Sequence, residues 1–407
     1  MQRREQTTFF HERWRAVASG VIETAGTTFL ILIAVRAFEA GATAKALIAG
    51  AGSFGLLLSP VTVACVAAGQ WRISKAAAFL SGMGAACFLL AAAVPILSMF
   101  VACSVVGMAV MASMIPLLTQ MYHENYPESD RGGLFSKTMM IRMGMAVVFA
   151  QLAGSALTGR IGHFPWLLLV YAAAFAWSAY CLARCPTRPL RESDSANPFH
   201  ALRFVKEDRL FRWTLITWML MGFANLMMLP MRVEYLANPR YGLHLDAAKV
   251  AMFTSVIPNI ARLIMSPMWG WLFDRMNFFV LRVVLNLGFA AGILAFFTGD
   301  TTTGFVLGAV IFGVSNAGGD VAWSLWVTKF APPGRVADYM SVHTFLTGIR
   351  GVLAPMLAFH IVAHLSMGAL AAVSAVMIVV ASLLLLREVK HGKSAPRRAA
   401  LVEEISE

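Results

Sequence analysis

Apolar residues run in long blocks from Ala16 to Leu386, and most charged residues lie between the blocks. A helix rising 1.5 Å per residue needs about 20 apolar residues to cross a bilayer. Twelve blocks meet that length, so helices are predicted at 16–37, 44–69, 76–95, 97–119, 138–159, 164–184, 212–236, 248–273, 279–298, 303–328, 340–364 and 366–386. Arg3, Arg4, Arg13 and Arg15 precede the first block without a small-residue cleavage site, and the block is longer than a signal-peptide core. It is expected to remain as the first membrane helix.

The longest polar segment, 185–211, divides the chain near its middle. The expected organisation is a cytoplasmic N-terminal segment 1–15, a six-helix bundle 16–184, a cytoplasmic linker 185–211, a second six-helix bundle 212–386 and a cytoplasmic tail 387–407. After Asn197-Pro198 the linker interleaves Phe199, Leu202, Val205 and Leu210 with Arg203, Lys206 and Arg209. That pattern suits an interfacial amphipathic helix, with a solvated linker as the alternative.

Three marks recur in order across the divide, two of them at nearly constant offset. Leu58-Ser59-Pro60 matches Met265-Ser266-Pro267, and Ile141-Arg142 matches Ile349-Arg350. Val35-Arg36-Ala37-Phe38-Glu39, ending span one, is like Met231-Arg232-Val233-Glu234, ending span seven. Transport proteins are often duplicated in this way, and the marks predict two related halves.

Composition removes a water-soluble reading, because 58% of residues are apolar and 13% charged, against about 25% charged in soluble domains. The net charge of +12 is scattered over short loops and forms no stripe, so no nucleic-acid partner is expected. Most of the 33 Lys and Arg fall in the termini and the even-numbered connections, which predicts cytoplasmic termini by the positive-inside rule. Cys65, Cys87, Cys103, Cys181 and Cys185 lie in or beside spans without metal-ligand or paired spacing, and read as packing residues. The 24 Met suit either lipid-exposed packing or an adaptable pocket.

Span eight ends in Gly270-Trp271-Leu272-Phe273-Asp274-Arg275. This resembles the G-x-L-x-D-R motif of the major facilitator superfamily, at the position of its loop 8–9. Pro127-Glu128-Ser129-Asp130-Arg131-Gly132-Gly133 and Pro332-Pro333-Gly334-Arg335 resemble that family's loops 4–5 and 10–11. The resemblance implies an all-α polytopic membrane protein with twelve transmembrane helices in two pseudo-symmetric six-helix bundles. It also implies secondary transport by alternating access. In that setting Gly270, Asp274 and Arg275 form a gate latch, pairing with helix ends or charges in one conformation only, with Arg131, Arg335 and Arg142 as further gating candidates. Ala67-Ala68-Gly69-Gln70-Trp71-Arg72, the first-half counterpart, lacks the Asp. Span four has no Arg, span five lacks the antiporter Gly-Pro signature, and span two has no acid, which points away from drug/proton antiporters and sodium-melibiose-type symporters.

A charge near mid-span costs at least a few kcal/mol, so it faces a cavity or a partner. Glu23, on one of the spans bordering the family's central cavity, is a candidate for proton coupling, with a structural ion pair as the alternative. Ser315-Asn316-Ala317-Gly318-Gly319-Asp320 supplies Asn316 and Asp320; Asp320 either faces the cavity or pairs with Arg350 or His343. Asn225 is a candidate substrate contact or a helix-helix hydrogen bond. Arg142, Arg262 and Arg350, set well within spans, suit a carboxylate or phosphate, or else internal salt bridges. Three Arg against Glu23 and Asp320 leave a positive excess favouring an organic anion or zwitterion.

There is no G-x-x-x-x-G-K, no H-E-x-x-H and no nucleophile triad, so neither ATP-driven transport nor an enzyme is expected, and no cofactor or metal. The expected protein is a monomeric transporter of a small molecule, coupled to protons, in the lipid bilayer of the inner or plasma membrane. The alternatives are a polyspecific efflux pump or facilitator, and a non-transporting receptor or scaffold that keeps the fold.

Overall fold

The structure, a computed structural model, describes residues 2–127, 130–190, 201–243, 245–329, 331 and 336–389. Twelve helices are long and apolar enough to span a bilayer: α1 (Arg3–Arg36), α2 (Ala42–Ala68), α3 (Ile73–Ala93), α4 (Leu97–Asn125), α5 (Arg131–Leu157), α6 (Ile161–Ala183), α7 (Arg209–Ala237), α8 (Ala247–Arg275), α9 (Phe278–Thr298), α10 (Thr302–Trp323), α11 (Asp338–Ile361) and α12 (Met367–Leu386). Large apolar side chains stay exposed along them, among them Leu152, Trp166, Ile264, Val376 and Leu383. A contiguous apolar surface of that kind is stable against lipid and not against water.

The packing is the same in both halves. α1 packs on α5 and α6, α2 on α4, and α3 on α4 and α6; six helices later α7 packs on α11 and α12, α8 on α10, and α9 on α10 and α12. Each half is a six-helix bundle, and the two are joined along a seam by α2 on α11, α5 on α8, and α1 on α7. The Ser-Pro marks fall inside α2 and α8, where each serine bonds back to a carbonyl of the preceding turn, Ser59 to Leu56 and Ser266 to Arg262.

Two features depart from the expected spans. α1 starts a dozen residues early because Glu12, Arg15 and Tyr122 form a buried cluster that holds the polar N-terminal stretch in helix against α4. Only one turn of the linker helix, Arg203–Glu207, lies in the described residues, with Phe204 buried; Asn197, Pro198 and Phe199 lie outside them. At its start the linker is strapped to the α2–α3 loop, Leu190 N donating to Trp71 O.

α1 and α8 each contain a π-turn, Ala25–Phe29 and Met252–Val256. A π-turn loosens the backbone ladder and recurs at functional positions. Here the two turns meet across the seam, with the hydroxyls of Thr28 and Thr254 2.8 Å apart. Thr27 Oγ1 donates to the Glu23 carbonyl at 3.0 Å, holding the turn that the widened helix leaves open.

Candidate functional site

Just before its π-turn, α1 presents Glu23 to the seam. Three residues earlier stands Gly20, where a Cβ would overlap the Arg142 carbonyl oxygen, so α1 and α5 approach as only glycine permits. That approach sets Arg142 beside Glu23, Nε donating to Oε2 at 2.5 Å. The other oxygen of Glu23 accepts from Arg262 Nη1 on α8 at 3.0 Å, and Arg262 Nε donates to Asp320 Oδ2 on α10 at 2.5 Å. Asn259, one turn from Arg262, accepts weakly from the same Nη1 at 3.5 Å.

The result is a row, Arg142, Glu23, Arg262, Asp320, alternating in sign and neutral in sum. Its middle is more buried than its ends: the Glu23 and Arg262 side chains are 9% and 11% exposed, those of Arg142 and Asp320 31% and 43%. The Glu23–Arg262 bond is the link between bundles. At an effective dielectric constant of 20, unit charges 4 Å apart attract by about 4 kcal/mol. Asn316, one turn before Asp320 on the same face of α10, is half-buried.

A second set of inter-bundle bonds lies at the end of the molecule opposite the termini. Lys45 Nζ of α2 donates to Glu234 Oε1 of α7 at 2.7 Å, and Asn238 Nδ2 donates to the same oxygen at 2.8 Å. Lys45 is 8% exposed and Glu234 2%. Arg36 of α1 donates to the carbonyl oxygens of Ala237 (3.0 Å) and Leu245. Thr43 meets His360, and Thr158 accepts from Ala248 N. Burial and the nearby Glu234 carboxylate push the Tyr241 phenol up to about 12, so it stays protonated beside this cluster. Among the described residues, every hydrogen bond between the bundles lies at this end or at mid-depth. Among the described residues the seam is thus held by hydrogen bonds on the side away from the termini and at mid-depth.

Several expected pairings are corrected. Asp320 bonds Arg262, and not Arg350 or His343. Arg350 does not share the seam: its Nη1 donates to the Trp218 carbonyl at 2.6 Å inside the second bundle, where His343 is buried among Trp218, Trp323 and Trp326. The expected positive excess at the centre is therefore absent, two Arg meeting two acids. Asn225 is half-buried on α7 with its carbonyl oxygen unpartnered. Asp274 and Arg275 are exposed at the end of α8, where Arg275 lies over the Trp271 ring at 4.5 Å and Gly270 has open space beside it. Arg131 caps α4 through the carbonyls of His123 and Tyr126. Arg335 lies outside the described residues.

Sequence reading missed Lys45, Glu234, Arg232 and Arg282. The last two are buried at 2% and 3%, and Arg232 lies 3.4 Å over the Phe312 ring. Each sits within a turn or two of a helix end, where a charge looks like part of a loop. The signal available was the repeat itself, which had marked Arg232 and Glu234.

The fold, the seam and the mid-depth charges define a secondary transporter and not an enzyme. The family model of the Major Facilitator Superfamily matches residues 16–355 and again 243–405, and the chain belongs to that superfamily. Solved structures share the fold across nearly all of the chain. The nucleoside transporter NupG superposes with a TM-score of 0.73 at 13% identity, covering 93% of this chain and 98% of its own. A D-xylose-proton symporter gives 0.65 at 18%, covering 94% and 95%. The human organic anion transporter MFSD10 gives 0.62 at 14%, covering 94% and 99%. No curated protein sequence matches the chain.

Proposed function

We propose that the protein moves an organic anion or zwitterion with protons by alternating access, and that the row from Arg142 to Asp320 is where proton and substrate compete. The observation that carries this is the Glu23–Arg262 bond, which joins the bundles at mid-depth and shares its arginine with Asp320. A proton on Glu23 or Asp320 cancels one negative charge and leaves an arginine without its full complement. The carboxylate or phosphate of a substrate then replaces the lost acid on Arg262 or Arg142, and the row returns to neutrality with proton and anion both aboard. Neither partner alone balances the row, which is the condition for coupling. Asn225, Asn259 and Asn316 supply uncharged hydrogen bonds to the rest of the substrate.

Gating follows from the same geometry. Lys45–Glu234 and Arg36 hold the end opposite the termini shut; Gly270, Asp274 and Arg275, with Arg131 and Arg335, close the other end after the bundles rock. The fold similarity to a proton symporter and to an organic anion transporter is in keeping with this reading. We place both termini in the cytoplasm of an inner or plasma membrane, with a monomer as the working unit.

Proteoliposomes test the proposal. With an acidic exterior, uptake of labelled carboxylates or zwitterions is expected to exceed equilibration, and Glu23→Gln or Asp320→Asn is expected to reduce it to equilibration. Uptake indifferent to the imposed pH gradient in the parent protein overturns the coupling. Stimulation by cations alone overturns the substrate class.

A further inference from the structure

Inside the second bundle, charged and polar side chains from α9 and α11 converge on Trp218 of α7. The Arg282 guanidinium lies over the Trp218 ring at 3.8 Å, and Arg350 Nη1 donates to the Trp218 carbonyl at 2.6 Å. The His343 ring stands edge-on to Trp218 and Trp326, with centroids 5.2 and 5.1 Å apart. Arg282 is 3% exposed, Arg350 9% and His343 0%. His343, Thr347 and Arg350 follow one face of α11, spaced four and three residues apart.

Donors are left over there. Arg350 Nε, both ring nitrogens of His343 and the Thr347 hydroxyl have no hydrogen-bond partner among the described residues. Nor does any carboxylate of the described residues come within ion-pair distance of Arg282 or Arg350; the mid-depth acids are taken by Arg142 and Arg262. Each guanidinium withdrawn from water carries a desolvation penalty that persists after relaxation. The Trp218 face and carbonyl offset part of that penalty. Ordered water could satisfy the donors, yet water supplies no charge against two adjacent cations.

We propose that Arg282, Arg350 and His343 hold a small inorganic anion as the resident counter-ion of the second bundle. The guanidinium N–H groups and the Thr347 hydroxyl are anion donors, and a neutral imidazole adds one N–H. The site is enclosed by one bundle and lies off the seam. It is therefore distinct from the row that the transport proposal uses, and does not depend on that proposal.

The test uses the purified full-length chain, exchanged into gluconate and titrated at constant ionic strength with chloride, bromide or phosphate. Tryptophan emission and Tm are followed. A saturable rise in Tm of about 2–4 °C is expected with the halides or with phosphate, whichever the site takes. If halide is bound, bromide also quenches part of the emission saturably, because three tryptophans flank His343. Arg282→Gln is expected to raise the half-saturating concentration at least tenfold. Should it fail to fold, His343→Asn gives the same reading with no charge removed from the core. A parent protein with no saturable response to any of the three anions overturns the proposal. So does a response unchanged in Arg282→Gln or His343→Asn, or one lost only in Arg262→Gln, which would put the anion on the seam.

Discussion

The Lys45–Glu234 bond lies at the shut end of the seam, and replacing Lys45 by Met keeps its volume while removing its charge. Glu234 is then left 2% exposed, with one oxygen on the Asn238 amide and the other, Oε2, without a partner. Breaking a buried pair in this way costs about 3–5 kcal/mol. The cost falls on the shut conformation alone, since opening that end brings Glu234 into water. The equilibrium should therefore move toward the opened state by between about two and four powers of ten, at about 1.4 kcal/mol per tenfold. Spin labels at Arg160→Cys and His364→Cys, exposed on opposite bundles at that end, report the change as a longer distance distribution in Lys45→Met. Lys45→Met with Glu234→Leu strands no charge and should shift the distances less than the single variant. An unchanged distribution in Lys45→Met refutes the latch.

Glu23→Gln keeps a side chain able to bond Arg142 yet removes the charge that links the bundles; pH-driven accumulation should fall at least about tenfold while counterflow of substrate persists. Gly222→Ala would drive a Cβ into the Arg350 guanidinium, an overpacking worth about 1–3 kcal/mol, seen as a lower Tm; Gly82→Ala, which meets open space, should stay close to the parent. Asp274→Asn alters an exposed residue that pairs with nothing described here, so Tm should hold while turnover slows; an unaltered turnover number removes Asp274 from the latch.

Hydropathy made the twelve spans legible because length in a bilayer is a one-dimensional constraint. Depth along each helix was equally readable, and it singled out Glu23, Arg142, Arg262, Arg350 and Asp320. The direction in which a side chain leaves its helix is not encoded that way. Arg350 and Arg142 occupy matching places in the repeat, yet one faces the core of its bundle and the other the seam. In sequence Asp320 was left to the cavity or to Arg350 or His343, and its pairing with Arg262 follows from α8 packing on α10. Lys45, Glu234 and Arg282 were hidden for a different reason: near a span end, a buried charge and a solvated one have the same sequence signature.

The two charge clusters also differ in what rocking can do to them. Glu23 and Arg262 belong to different bundles, so their distance changes when the seam opens, and anything that competes for either charge biases the conformation. Arg282, Arg350 and His343 all belong to the second bundle, and rigid-body rocking leaves their mutual distances alone. A ligand with equal affinity for both states shifts neither. The resident anion should thus bind Lys45→Met, with its displaced equilibrium, at the same half-saturating concentration as the parent protein, whereas a substrate held by the row should show an altered apparent affinity. Equal titrations of bromide or phosphate in the two proteins support a fixed counter-ion. A change of more than about threefold would mean that the second bundle deforms internally as the transporter turns over, and rigid-body rocking would have to be abandoned.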